Sequence, residues 1–233
     1  MSDLSPSERF AKYSKRTAHA LTNEFELSQL FEFDDFQIRG CHSLEDGGSV
    51  LIAAPTGSGK TILGQFAIFL GLKKNKKVFY TTPIKALSNQ KYQDFSALYG
   101  EKNVGLLTGD NSINSDAPIL IMTTEILRNM LYSGSQTLSN LGYVIMDEVH
   151  YLADRFRGAV WEETLIHLPE SVQVVSLSAT VSNAEEFGEW LQSIRGNTKV
   201  IVTEKRPVPL FQYVYIGNSF LELFTDDGKV NPE

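Results

Sequence analysis

Residues 50–61, Val50-Leu51-Ile52-Ala53-Ala54-Pro55-Thr56-Gly57-Ser58-Gly59-Lys60-Thr61, decide how the chain is read. The apolar run Val50–Ala54 is short, closed by a proline and a glycine pair, and reads as a strand buried on both faces. The apolar stretch Thr61–Leu72 behind it reads as a helix. The glycines between them let the backbone curl so that successive amides and the helix N-terminus face one anion. Strand, glycine loop and helix in this order are the setting of a phosphate-binding loop, with Thr56, Gly57, Ser58 and Gly59 as the cradle. Lys60 then reaches the β and γ phosphates of ATP, and the Thr61 hydroxyl is a Mg²⁺ ligand. Ala54 stands where the strict pattern has its first glycine. The competing reading, a glycine-rich turn with an exposed lysine, leaves the strand and the helix unexplained.

Working outward, short apolar runs alternate with longer helical patterns. Strands are expected at Val78–Thr82, Val104–Thr108, Ile119–Thr123, Tyr143–Met146, Val172–Leu177 and Val200–Val202. Helices are expected at Ile84–Leu98, Thr124–Leu131, Val160–Leu168 and Ala184–Leu191. Strands apolar on both sides, each followed by a helix, predict an α/β fold with a mostly parallel sheet covered on both faces. Such sheets bind ligands at the carboxyl ends of their strands.

A second chemical signal sits at one of those ends. Strand Tyr143–Met146 runs into Asp147-Glu148-Val149-His150. Carboxylates there are placed for a Mg²⁺ beside the γ phosphate. Asp147 is expected to bind the metal, directly or through water, and Glu148 to position and deprotonate the attacking water. A lone histidine is more often a surface residue, but two places past a base, His150 is read as coupling the nucleotide site to the rest of the domain.

Composition limits the alternatives. The 233 residues are 42% hydrophobic and 21% charged, an ordinary globular balance. The formal net charge of −7 excludes nucleic-acid binding by bulk electrostatics, so any such site must be local. The lysines Lys73, Lys74, Lys76 and Lys77 close an apolar helix and read as a solvated end that complements the helix dipole. Cys41 is the single cysteine, which excludes an internal disulfide, and no Cys/His spacing suits zinc. The polar start lacks the apolar core of a secretion signal, and Ile62–Leu72, interrupted by Gln65, is too short for a membrane span. A cytoplasmic protein with no membrane partner is the expectation. Ser5-Pro6-Ser7-Glu8 resembles a helix start, and Phe25, Leu27, Leu30, Phe31, Phe33 and Phe36 form an aromatic-rich entry, its aromatics mostly core. Arg206-Pro207-Val208-Pro209 punctuates the far end, before a strand Leu210–Ile216 and an exposed tail Thr225–Lys229.

Taken together, these motifs resemble the superfamily 2 DExH-box helicases, and within them the superkiller branch of RNA helicases and its actinobacterial relatives, from about Phe31 to Leu210. Phe36-Gln37 stands where the family has its adenine-reading glutamine. Thr81-Thr82-Pro83-Ile84-Lys85-Ala86-Leu87-Ser88-Asn89-Gln90-Lys91 matches motif Ia, and Thr108-Gly109-Asp110 and Met122-Thr123-Thr124-Glu125-Ile126-Leu127-Arg128 match the next two strand-binding segments. The resemblance thereby assigns nucleic-acid contacts to Thr82, Pro83, Lys85, Thr108, Gly109, Thr123, Thr124 and Glu125. Ser178-Ala179-Thr180 matches motif III, which links ATP state to strand grip. The stretches Arg157–Glu163 and Arg206–Leu210 favour the RNA branch. Independently of the family, Thr82, Thr108, Thr123 and Thr124 lie at strand ends beside helix starts, where hydroxyls and free amides hold phosphates with little net charge. Helix capping is the even alternative for any one of them.

The resemblance implies a RecA-like P-loop NTPase domain of an ATP-dependent 3′–5′ RNA helicase. It also implies three segments: residues 1–35 as an entry, 36–210 as the ATP-binding domain, and 211–233 as the start of a crossover. The family's motor needs a second RecA-like domain that supplies arginine fingers, and further C-terminal domains in the same chain. The 23 residues after Leu210 do not hold those motifs, so the chain is expected to be a piece that binds nucleotide, hydrolyses it poorly and unwinds nothing. Expected partners are single-stranded RNA, with DNA as the alternative, and an RNA-degrading nuclease. A DNA helicase domain and a nucleotide-gated binding module without motor activity are the competing functions.

Overall fold

A computed structural model describes residues 18–153, 158–179, 184–206, 211–224 and 229–231. Two helices, α1 (Ala20–Leu27) and α2 (Asp35–Glu45), lead into strand β1 (Ser49–Ala53). Then come α3 (Thr61–Lys73), β2 (Lys77–Thr82), α4 (Lys85–Tyr99), β3 (Val104–Leu107), the short β4 (Ser112–Ile113) and β5 (Ile119–Thr123). These are followed by α5 (Thr124–Ser133), β6 (Leu141–Met146), α6 (Gly158–His167), β7 (Gln173–Ser178), α7 (Ala184–Arg195) and β8 (Thr198–Val202). A separate antiparallel hairpin, β9 (Tyr213–Ile216) with β10 (Ser219–Glu222), ends the described chain.

The eight-stranded sheet has the order β4-β3-β5-β2-β6-β7-β1-β8, and every pairing is parallel except β3 with β4. The expected mostly parallel α/β sheet with helices on both faces is therefore what the chain forms. Side chains alternate along each strand between two cores. Val50 and Ile52 of β1, with Val78 and Tyr80 of β2 and Tyr143 and Ile145 of β6, face Phe25, Phe36, Leu63, Phe66 and Phe95 of α1–α4. Leu51, Phe79, Val144 and Met146 face Leu127, Trp161, Leu165 and Leu191 of α5–α7. Strands sandwiched in this way are mostly apolar on both faces, which is why they read as near-continuous runs.

Close helix approach depends on small residues. A Cβ on Gly71 of α3 would stand 2.2 Å from Val78 of β2, so a glycine is required where that helix lies on the sheet. The four lysines at the end of this region serve local structure. Lys73 pairs with Glu24 at 2.6 Å, Lys74 donates to the Tyr143 hydroxyl, Lys76 to the Asn140 side chain and Lys77 to the Thr137 carbonyl.

Several expectations shift. Helix α1 lies in the entry segment and α2 starts at its end, and Phe25, Phe33 and Phe36 are buried as expected of its aromatics, whereas Leu27, Leu30 and Phe31 are exposed. The strand expected at Leu210–Ile216 begins at Tyr213 and turns back as a hairpin. β4 and β10 were not anticipated, because two and four largely exposed residues carry no periodic signal. Ser5–Glu8, Arg157, Thr180, Pro207–Leu210 and Thr225–Gly228 lie outside the described residues.

Candidate active site

The loop after β1 curls through two left-handed residues, Gly57 at φ +79° and Gly59 at φ +83°, positions that a side chain would strain. The curl leaves the amides of Gly57, Gly59, Lys60 and Thr61 without an acceptor among the described residues. Ser58 is buried, and its hydroxyl has no hydrogen-bond partner there either. A run of unpaired donors at the start of α3 is what an anion with several oxygens requires. The Lys60 ammonium folds back on the loop and donates to the Ala54 carbonyl at 2.7 Å and the Pro55 carbonyl at 3.0 Å. Burial lowers its pKa, with Glu148 and then Asp147 acting in the opposite direction.

Gln37 binds the loop from α2. Its side-chain carbonyl accepts from the Asp34 amide at 2.8 Å, and its NH₂ group donates to the Gly59 carbonyl at 3.1 Å. The first bond is half of a capping box, which the spacing Asp34-x-x-Gln37 signals. It locks the amide against the phosphate loop. Beside this helix, at the end of β8, a cavity of about 500 Å³ is lined by Asp34, Phe36, Arg39 and Lys205, among others.

The acidic residues follow β6, separated from β1 by β7 alone. Asp147 is fixed by its backbone, whose amide donates to Thr81 at 2.9 Å, and by both carboxylate oxygens. The Glu148 amide reaches Oδ1 at 3.0 Å, and the Tyr80 hydroxyl reaches Oδ2 at 2.5 Å. Lys91 of α4 approaches Oδ2 at 3.9 Å. Glu148 has φ +57°, rare for a residue with a side chain and typical of strain held at functional sites. Its carboxylate lies 3.2 Å from Nδ1 of His150, which the Ala179 amide also approaches at 3.4 Å. Ser178 in turn pairs with Ala53, and its carbonyl accepts from the Ala54 amide at 3.2 Å. His150, Ala179 and Ser178 thus form a chain of contacts from Glu148 to Ala54 across adjacent strands.

The strand-binding segments lie on the other half of the same sheet end, after β2, β5 and β3. Thr82 and Thr124 are both 1% exposed and use their hydroxyls internally. Thr82 contacts Ser88 at 2.7 Å and donates to Ile84, and Thr124 donates to the Thr82 carbonyl. Thr108 accepts from the Asn111 amide at 3.2 Å. Those hydroxyls brace the turns, while Gly109 and Lys85 are exposed and Thr123, at the start of α5, and Glu125 are half-buried. Thr123 makes no capping bond with its side chain. Lys85 pairs with Asp110 and holds that carboxyl below its usual pKa, tying the start of α4 to the segment after β3. Pro83 is buried.

Oxygen donors from Thr61 and Asp147 suit a hard divalent cation such as Mg²⁺. Among the described residues, no group of three or more His, Cys, Asp or Glu side chains is placed to hold a metal unaided, so such an ion would draw its remaining ligands from phosphate and water. No helix among them is long and apolar enough to cross a membrane. Sequence reasoning missed Tyr80 altogether and quoted Lys91 only as part of a motif. Only the folded sheet shows that both meet Asp147.

Comparison with known proteins agrees with this geometry. The chain is 59% identical over 201 residues to "Probable helicase HelY" of Mycobacterium leprae, covering 86% of this chain and 22% of that protein. It is 53% identical over 190 residues to "Superkiller complex protein 2" of Mus musculus, covering 81% of this chain and 15% of that one. The chain thus spans less than a quarter of the length of these relatives. Among solved structures, Mycobacterium smegmatis helicase Lhr, bound to ssDNA and AMP-PNP, superposes with a TM-score of 0.63 at 29% identity, over 79% of this chain and 27% of that one. The family model for DEAD/DEAH box helicases matches residues 34–187, and the chain belongs to that family as a RecA-like helicase domain.

Proposed function

We propose that the chain is the nucleotide-binding part of an ATP-dependent 3′–5′ RNA helicase, holding Mg²⁺–ATP between the loop after β1 and the acidic residues after β6. The observation that carries this reading is that the loop after β1, with its unpaired amides, and the acidic residues after β6 leave the same end of one parallel sheet, with β7 alone between their strands. On nucleotide binding, Lys60 leaves the carbonyls of Ala54 and Pro55 for the β and γ phosphates, and the unpaired amides of Gly57, Gly59, Lys60 and Thr61 cradle them. Thr61 and Asp147 would hold Mg²⁺, which would supply positive charge to offset that of the phosphates. Glu148 orients the attacking water and accepts its proton at a carboxylate oxygen. His150 transmits the state of Glu148 to Ser178, Ala179 and Thr180. Gln37 reads the base once its amide, held here by the Asp34 amide and the Gly59 carbonyl, exchanges those bonds for the adenine.

Single-stranded nucleic acid runs over the starts of α4 and α5 and the segment after β3, contacting Thr82, Pro83, Lys85, Thr108, Gly109, Thr123, Thr124 and Glu125 mostly through backbone amides. RNA is preferred because the superkiller relative belongs to the branch that the motifs resemble. Likeness to Lhr, whose structure contains ssDNA, favours DNA as the second reading. Competition between RNA and DNA oligonucleotides of one sequence separates the two.

Calorimetry with Mg²⁺ and a non-hydrolysable ATP analogue tests the site. Lys60→Ala should abolish binding and Glu148→Gln should retain it, and equal affinity in wild type and Lys60→Ala would overturn the assignment. Alone, the 233 residues should turn ATP over slowly, since lack of an arginine finger costs about 10³- to 10⁵-fold. Robust RNA-stimulated turnover by this piece would refute that expectation. A cytoplasmic location and a nuclease partner complete the proposal.

A further inference from the structure

We propose that Tyr80 and Lys91 are positioning residues with opposite effects on Asp147: Tyr80 orients the carboxylate toward the metal, and Lys91 competes with the metal for it. The inference rests on the preceding assignment of Asp147 to Mg²⁺ and goes beyond it.

Tyr80 is fully buried on β2, with its ring edge-on to Phe95 of α4 at 5.1 Å. On the other side it passes α3 at Gly64, where an added Cβ would come within 3.2 Å of the ring. Packing of this kind leaves the phenol one direction, and its hydroxyl emerges at Asp147 Oδ2, 2.5 Å away. Phenylalanine would cover the same apolar area, so the hydroxyl's contribution is the bond to Asp147. With Oδ2 held by Tyr80 and Oδ1 by the Glu148 amide, the carboxylate plane is fixed before any cation arrives. Partners that orient a metal-binding carboxylate typically contribute tenfold or more to metal affinity.

Lys91 acts in the other direction. Its ammonium lies 3.9 Å from Oδ2 and 5.7 Å over the Tyr80 ring, and the side chains of Lys91 and Asp147 are 20% and 14% exposed. A fixed positive charge there occupies the field that a divalent cation needs. It sits on α4, about 9 Å along the axis from Lys85 at the helix start, so the competing charge is attached to the element that faces the nucleic acid.

The test is Mg²⁺ titration of fluorescent ATP-analogue binding to the 233-residue chain, with melting temperature recorded for every variant. Tyr80→Phe should raise the half-saturating Mg²⁺ concentration about tenfold. Lys91→Met should lower it about threefold, and Lys91→Arg should return it to the wild-type value. General damage to the fold would move both variants the same way, so opposite shifts mark positioning. Shifts of the same sign, or shifts under twofold in variants that melt normally, overturn the inference. If Tyr80→Phe does not fold, the Lys91 pair decides alone, because Lys91 is outside the core. Mg²⁺-independent binding by the wild type would remove the underlying assignment of Asp147, and this inference with it.

Discussion

Replacing Gly59 by alanine tests how the phosphate loop is held. Two costs can be read from the structure. At φ +83°, a side chain costs about 1–2 kcal/mol relative to glycine. The new Cβ would also stand 2.7 Å from Nε2 of Gln37 and must displace an amide anchored at both ends, by the Asp34 amide and the Gly59 carbonyl. Losing those two hydrogen bonds adds about 1 kcal/mol each. Gly59→Ala should therefore destabilise the chain by about 3–4 kcal/mol, a melting shift of about 10 °C for a protein of this size, with nucleotide affinity reduced in parallel. Urea unfolding of a double-mutant cycle separates the terms. In a Gln37→Ala background the clash is gone, so Gly59→Ala should cost only the backbone part, about 1–2 kcal/mol, leaving a coupling of about 2 kcal/mol. Additivity to within about 0.5 kcal/mol would refute the argument that Gln37 props the loop through Gly59.

Three further outcomes follow from particular contacts. The Arg195 guanidinium donates to the carbonyls of Leu168, Pro169 and Val172 at 2.6, 2.9 and 2.6 Å, so Arg195→Ala should cost about 2 kcal/mol in urea unfolding and Arg195→Lys should recover little of it, since an ammonium cannot span the fork. Glu45 accepts from the Leu21 and Thr22 amides and the Thr22 hydroxyl; Glu45→Ala should cost about 1 kcal/mol and release amide hydrogen exchange in α1 ahead of the sheet. Burial raises Cys41 above its ordinary 9.0, raises Tyr80 above 10.0 and pushes Tyr99 up to about 12. The folded chain thus keeps protons that the unfolded chain gives up, so their contribution is complete below pH 9 and falls as pH rises from about 9 to 12. Lys60, whose pKa is lowered, opposes this below 10.5. The urea midpoint should drop between pH 9 and 10.5, and a midpoint that rises over that interval would contradict the burial of these groups.

What the sequence disclosed depended on whether a feature was local. The loop from Ala54 to Thr61 and the segment Asp147–His150 stood out because they carry characteristic residue types at short spacing, and the strands because two-sided burial leaves few polar positions. The helix Asp35–Glu45 was hidden behind a run of phenylalanines, although Asp34 and Gln37 marked its start. The threonines at the strand ends show the limit more sharply. Capping and phosphate contact call for the same residue in the same place, and only the bonds from Thr82 to Ser88 and from Thr124 to Thr82 reveal that these hydroxyls are engaged inside. Tyr80 and Lys91 were unreadable for a different reason, since their meeting with Asp147 joins residues 56 or more positions apart.

The left-handed backbone at Glu148 makes the stability and the chemistry of this chain pull apart. A library selected only for heat resistance should enrich glycine or asparagine at position 148, because either relaxes that torsion, and on the mechanism proposed here every such survivor would be sturdier and inert. A glutamate retained there marks a position chosen against thermal fitness.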